Sequence, residues 1–77
     1  MNARDRLIRC FASVFYEVDE KSIPEVNSTD KEWDSLKLIT LINVVQQEFP
    51  VEIAADEIEG LNSFSAFLRK IEADSKN

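Results

Sequence analysis

Apolar residues recur at intervals of three and four in three separate runs, and only one Gly and two Pro interrupt the chain. That period matches the turn of an α-helix and not the two-residue alternation of a strand. The first run sets Leu7, Ile8, Phe11, Val14, Phe15 and Val18 on one face and predicts a helix from about Ala3 to Tyr16. Phe11 and Phe15 read as core fillers, with Arg4, Arg6 and Arg9 turned off the stripe toward solvent. The second run predicts a helix from Ser35 to about Phe49, stopped by Pro50, that buries Leu38, Leu41, Ile42, Val45 and Phe49. Leu36, Ile39 and Val44 lie outside this stripe. Burial under neighbouring helices is expected for Ile39 and Val44, and exposure for Leu36 in the first turn. Phe64, Phe67, Leu68 and Ile71 mark the last helix, capped by Asn62 or Ser63.

The connections are less regular. From about Asp19 to Trp33 the period fails. Pro24 is expected to exclude helix around it and to hold Ile23 extended, and Asn27-Ser28-Thr29-Asp30 has turn chemistry. A loop of that length needs pins, and Ile23, Val26 and Trp33 are the apolar candidates. After Pro50, Val51-Glu52-Ile53 alternates. Ala54 to Glu59 then allow one or two helical turns, which Gly60 is expected to end by adopting a positive φ. The expected fold is all-α: a small four-helix bundle of three longer helices and one short one, with a long loop between the first two. It forms a single domain over residues 1–77, frayed at 1–2 and from about 74.

Composition narrows the chemistry. Hydrophobic residues at 44% supply a core, and a net charge of −6 repels phosphate backbones, so no nucleic-acid partner is expected. No run approaches the roughly 20 apolar residues that cross a bilayer, and the N-terminus lacks a signal-peptide pattern. A cytoplasmic monomer without membrane contact is expected. A single cysteine allows neither an intramolecular disulfide nor a cysteine-based zinc site, and Cys10 reads as a passive, partly buried thiol. The chain has no His, which removes the commonest general base and metal ligand. Neither catalytic residues nor a metal site is expected.

What chemistry remains gathers at Trp33-Asp34-Ser35-Leu36. Asp34 suits a helix N-cap, because its carboxylate can accept from unpaired N–H groups of the first turn. Ser35 then occupies the first helical position, its hydroxyl at the positive end of the helix dipole, where a covalently attached anion meets favourable dipoles. On Asp34-Ser35-Leu36 alone, an ordinary helix start is the favoured reading.

Over its whole length, and most closely from Trp33 to Phe64, the sequence resembles an acyl carrier protein of fatty-acid or polyketide type. The resemblance rests on Asp34-Ser35-Leu36 opening the second helix, then Glu48-Phe49, Val51-Glu52-Ile53, Asp56-Glu57 and Gly60-Leu61-Asn62-Ser63-Phe64 in order. It implies a 4′-phosphopantetheine arm attached to Ser35 by a phosphopantetheinyl transferase using coenzyme A and Mg²⁺. It also implies an acyl or adenylate-forming ligase, an acyltransferase or a ketosynthase as partners, with Asp34 as cap and a possible aid to loading. The chain departs from the family where Glu32-Trp33 replaces the usual Leu-Gly pair and the preceding loop is shortened. Many fatty-acid carriers bear a row of acids along the second helix; here the matching positions hold Lys37, Thr40, Gln46 and Gln47, leaving Glu48 as its only acid. A specialised, stand-alone carrier is expected, with Leu36, Lys37, Ile39, Asp56, Glu57 and Glu59 as its docking surface. An aminoacyl or peptidyl carrier and an unmodified helical adaptor are the alternatives. Ile42, Val45, Ile53, Ile58 and Leu61 either line a space for the acyl chain or are ordinary core.

Overall fold

The computed structural model describes residues 2–74. Three α-helices form where the apolar period predicts them: α1 (Ala3–Val14), α2 (Ser35–Glu48) and α3 (Phe64–Asp74). Each has a local reason to begin. The Asn2 side chain accepts from Asp5 N–H at 2.8 Å, Asp34 does the same for Lys37, and Ser63 Oγ accepts from Ala66 N–H at 3.1 Å. Of the two cap candidates for α3, Ser63 is therefore the one used. The helix ends fall one or two residues short of the predicted Tyr16 and Phe49, as fraying termini do. Of the expected frayed tail, Asp74 still belongs to α3 and pairs with Lys70 at 3.2 Å, while residues 75–77 lie outside the described residues.

α1 and α2 run antiparallel. At one end Arg6 Nε meets Glu48 Oε2 at 2.8 Å and the guanidinium covers the Phe49 ring; at the other, Phe15 meets Trp33 and Lys37. Arg6 is thus a clamp between helix ends and not the free surface charge its position off the stripe suggested. The core joins the three helices through Leu7, Phe11, Phe15, Leu41, Val45, Phe67 and Ile71, each almost wholly buried. Phe11 is its hub, with the Phe15, Phe64, Phe67 and Trp33 rings 5.1–6.4 Å from its own.

The connection from α1 to α2 is more structured than the sequence suggests. A 3₁₀ helix, η1 (Glu20–Glu25), runs through Pro24, so proline does not exclude helix here. Its fixed φ near −65° suits the 3₁₀ range, and in so short a segment its missing N–H costs at most one bond. Ile23 is accordingly helical and fully buried, not extended. An isolated antiparallel bridge then pairs Asn27 with Ser63, with Ser28 N–H donating to Asn62 O at 2.8 Å and Phe64 N–H to Val26 O at 3.0 Å. The loop is fastened to the start of α3 before it turns back toward α2.

A second 3₁₀ helix, η2 (Ala55–Gly60), precedes α3. Gly60 is its last residue and adopts no positive φ, and a Cβ there would meet nothing within 4 Å. The turn closes instead because Leu61 N–H bonds Ile58 O at 3.0 Å. With η1 and η2 both present, the described residues form three longer helices and two short ones.

Cys10 is buried on α1, at the floor of a cleft of about 400 Å³ between α1 and α2 whose other walls include Arg9, Ser13 and Val44. Burial pushes its thiol pKa up, the nearby Glu48 charge adds to this, and Arg6 opposes it. Iodoacetamide at about pH 8 will therefore alkylate the native chain at least about tenfold more slowly than the urea-unfolded chain, read by mass spectrometry against time.

Candidate functional site

α2 begins at an abrupt change of backbone direction. Asp34 is extended (φ −140°, ψ 171°), its Oδ1 accepts from Lys37 N–H at 2.8 Å and its carbonyl accepts from Leu38 N–H at 3.0 Å. One residue therefore satisfies two donors at the opening of the helix. Asp34→Ala will cost about 1 kcal/mol of stability through loss of this cap, and Asp34→Asn much less; urea melts of the three chains provide the comparison.

Ser35 is the first residue of α2 and is exposed. Its N–H and that of Leu36 find no protein acceptor among the described residues, so both remain available to an anion. Fourteen residues of aligned peptide dipoles end here, adding a fixed partial positive charge. An anion at this end of α2 would meet both the two free donors and that partial charge. The neighbouring Asp34 carboxylate is engaged with backbone N–H, which moderates its repulsion.

The position of Ser35 is held from behind. Trp33 is half-buried and stacks on Phe15 at 5.5 Å, and Lys37 lays its ammonium 5.7 Å above the same ring. Upstream, Trp33 N–H donates to Asp30 O, and Asp30 Oδ2 accepts from Asn27 N–H, both at 3.0 Å. Asn27 is in turn bridged to Ser63, so the serine stands at the end of a loop tied to α1 and to α3. Trp33, Ile23 and Val26 all serve as the pins expected of them.

The residues expected to meet partners separate into groups. Leu36 and Ile39 share one face of α2 and both are exposed, so Ile39 is not covered by a neighbouring helix as its apolar character suggested. Among the described residues no element covers Leu36 or Ile39. Val44, by contrast, is half-buried beside the α1 cleft. Lys37 lies across the helix from Ile39, over Phe15. Glu57 is committed to structure: Oε2 takes a charged hydrogen bond from Lys70 at 2.6 Å and Oε1 accepts from Ala54 N–H at 2.9 Å. The Lys70 bond, then the Ala54 bond, hold its carboxyl below the usual glutamate range. Asp56 and Glu59 remain exposed on η2, and none of the described contacts brings them against Ser35. Tyr16, 78% exposed just beyond α1, escaped the sequence reading; its only signal was standing next to the last buried phenylalanine of the stripe.

Among the described residues no group of His, Cys, Asp or Glu is arranged to hold a metal ion, and no helix is long and apolar enough to cross a membrane. A family model for the phosphopantetheine attachment site matches residues 5–71. No curated protein and no solved structure gives a significant match. With nearly the whole bundle inside that match, the chain belongs to the phosphopantetheine attachment-site family, whose carrier domains hold 4′-phosphopantetheine covalently on a serine.

Proposed function

We propose that Ser35 is the attachment position and that the protein is an acyl carrier: chemistry is done on this residue, not by it. The observation that carries the reading is the exposed hydroxyl at the first position of α2, beside two unsatisfied N–H groups and behind an engaged Asp34 cap. In loading, the Ser35 oxygen bonds the phosphorus that bears the pantetheine of coenzyme A. The bond from that phosphorus to the adenosine bisphosphate breaks, and the hydroxyl proton leaves to a base on the transferase. Asp34 keeps the first turn of α2 formed and so holds the oxygen outward. When attached, the arm supplies a terminal thiol that holds acyl groups as thioesters. Tethering raises the cargo's effective concentration at each enzyme that docks, which is the service a non-catalytic carrier gives.

The partners of this reading are a phosphopantetheinyl transferase and a dedicated ligase, acyltransferase or ketosynthase in a specialised cytoplasmic pathway, the carrier itself acting as a monomer. Lys37, Thr40, Gln46 and Gln47 along α2 support a specialised role over housekeeping fatty-acid synthesis. An Asp before the serine leans toward acyl rather than aminoacyl or peptidyl cargo. Incubation with coenzyme A and a broad-range transferase tests the proposal. Mass spectrometry is expected to show a gain of roughly 340 Da, one phosphopantetheine unit, on the peptide containing Ser35. An unchanged mass would instead make the protein an unmodified adaptor.

A further inference from the structure

The cleft between α1 and α2 takes no part in the reading of Ser35. Val44, in its α2 wall, lies about two and a half helical turns beyond the serine. The volume of about 400 Å³ falls within the range of small-molecule sites, about 300–1,000 Å³. Its lining is divided in character. Cys10 and Val44 are uncharged, the thiol keeping its proton because burial raises its pKa. Arg6, Arg9 and Glu48 supply the charge, two guanidiniums against one carboxylate, in a chain whose net charge is −6.

The two arginines differ in what they have left to give. Arg6 is spent: Nε donates to Glu48 Oε2 at 2.8 Å, a terminal nitrogen donates to Glu48 O, and the guanidinium covers the Phe49 ring. Glu48 is thereby engaged as well. Arg9 is exposed and makes no hydrogen bond or ion pair among the described residues. Asp5 and Glu20 border a second hollow with it, yet neither is paired to it. Ser13 donates its proton to Cys10 O at 2.8 Å and so has none to offer an anion. One planar fork of N–H donors beside an uncharged floor is what the cleft presents, and a carboxylate with a hydrocarbon body matches both parts. A phosphate dianion would bring a second negative charge for which no further cation lines the cleft, with Glu48 in the wall and Asp5 and Glu20 beside Arg9.

We propose that this cleft is a binding site for a short aliphatic carboxylate, gripped by Arg9 with its hydrocarbon laid on Cys10 and Val44. Arg6, held by Glu48, fixes the shape of that end of the cleft. The site needs no arm on Ser35 and stands or falls apart from the loading of that residue.

The test uses the ¹⁵N-labelled chain with its serine unmodified, titrated with hexanoate at constant pH and ionic strength and followed by amide chemical shifts. Saturable shifts are expected at Arg9, Cys10, Ser13 and Val44, with a Kd on the order of 1 mM, the scale open to so small a ligand. Butanoate should bind about tenfold more weakly, having two fewer methylenes to bury. Hexan-1-ol, which lacks the charge, should bind about fivefold or more weakly than hexanoate. Arg9→Gln should impose the same loss on hexanoate with the melting curve unchanged, because Arg9 has no partner to lose. Arg9→Lys, with the charge but not the fork, should fall between. Equal binding of hexanoate and hexan-1-ol, or indifference to Arg9→Gln, reduces the cleft to an apolar crevice and overturns the proposal. So do shifts that rise without saturation to about 50 mM, or that centre on Leu36 and Ile39 instead of the cleft. Tighter binding of a glutamate-rich peptide than of hexanoate at the same amides overturns it in favour of a protein partner.

Discussion

Ser35→Ala abolishes loading: the gain of roughly 340 Da seen with coenzyme A and a broad-range transferase disappears, and no other serine takes its place. The expectation follows from where the other described serines stand. Ser13 donates its hydroxyl to Cys10 O within α1, Ser63 is half-buried as the cap of α3, and Ser22 and Ser28 belong to η1 and a turn. Only Ser65 is comparable, being exposed in the first turn of α3. It sits at the second position of α3, two residues past the Asn27–Ser63 bridge, and the cap before it is a serine and not an acid. Ser65→Ala should therefore load to the wild-type endpoint, and the contrast between the two variants separates a built site from incidental reactivity. Because Ser35 is exposed and makes no side-chain hydrogen bond among the described residues, its replacement leaves the melting curve intact. Loss of loading is then chemical and not a consequence of unfolding.

Phe11→Ala has the opposite signature. Its ring is fully buried and within aromatic contact distance of four others, so truncation opens a cavity at the junction of α1, α3 and the loop before α2. Phe→Ala substitutions in such cores cost about 3–5 kcal/mol. A domain of this size holds about 5–10 kcal/mol in total, so the loss takes away half or more of it. Urea unfolding followed by far-UV circular dichroism and by Trp33 fluorescence should show a greatly lowered midpoint or a chain already loosened in buffer. Phe11→Leu, which keeps more of the volume, should fall between wild type and alanine. Trp33 is the only tryptophan and stacks on this cluster, so its emission reports directly on the element that holds Ser35 in place.

The three long helices were legible because burial is periodic in them. Leu7, Phe11 and Val14, or Leu41 and Val45, could not all be hidden by any other local structure. Asp34 as cap and Ser35 as first helical residue were legible for the same kind of reason, since capping is decided within four residues. What escaped depends on distant residues. Ile39 lies off the apolar stripe, and periodicity reports only that fact, not whether another element will cover it. Glu57 looked like a free surface acid until the fold brought Lys70 to it across thirteen positions. The bridge from Asn27 to Ser63, which steadies the loop leading to the candidate site, joins two segments with no local pattern to announce the pairing. Pro24 misled for a different reason: its constraint on φ forbids a helix interior but suits a short 3₁₀ turn.

Cys10 gives the fold a property of its own. A thioester migrates by attack of a thiolate, and the one thiol this chain encodes lies buried on α1 with its proton held more tightly than usual. Cargo on an arm at Ser35 would thus find no accessible internal thiol to escape to. It would stay until a visiting enzyme offers a nucleophile, so that the timing and direction of each hand-over belong to the visitor.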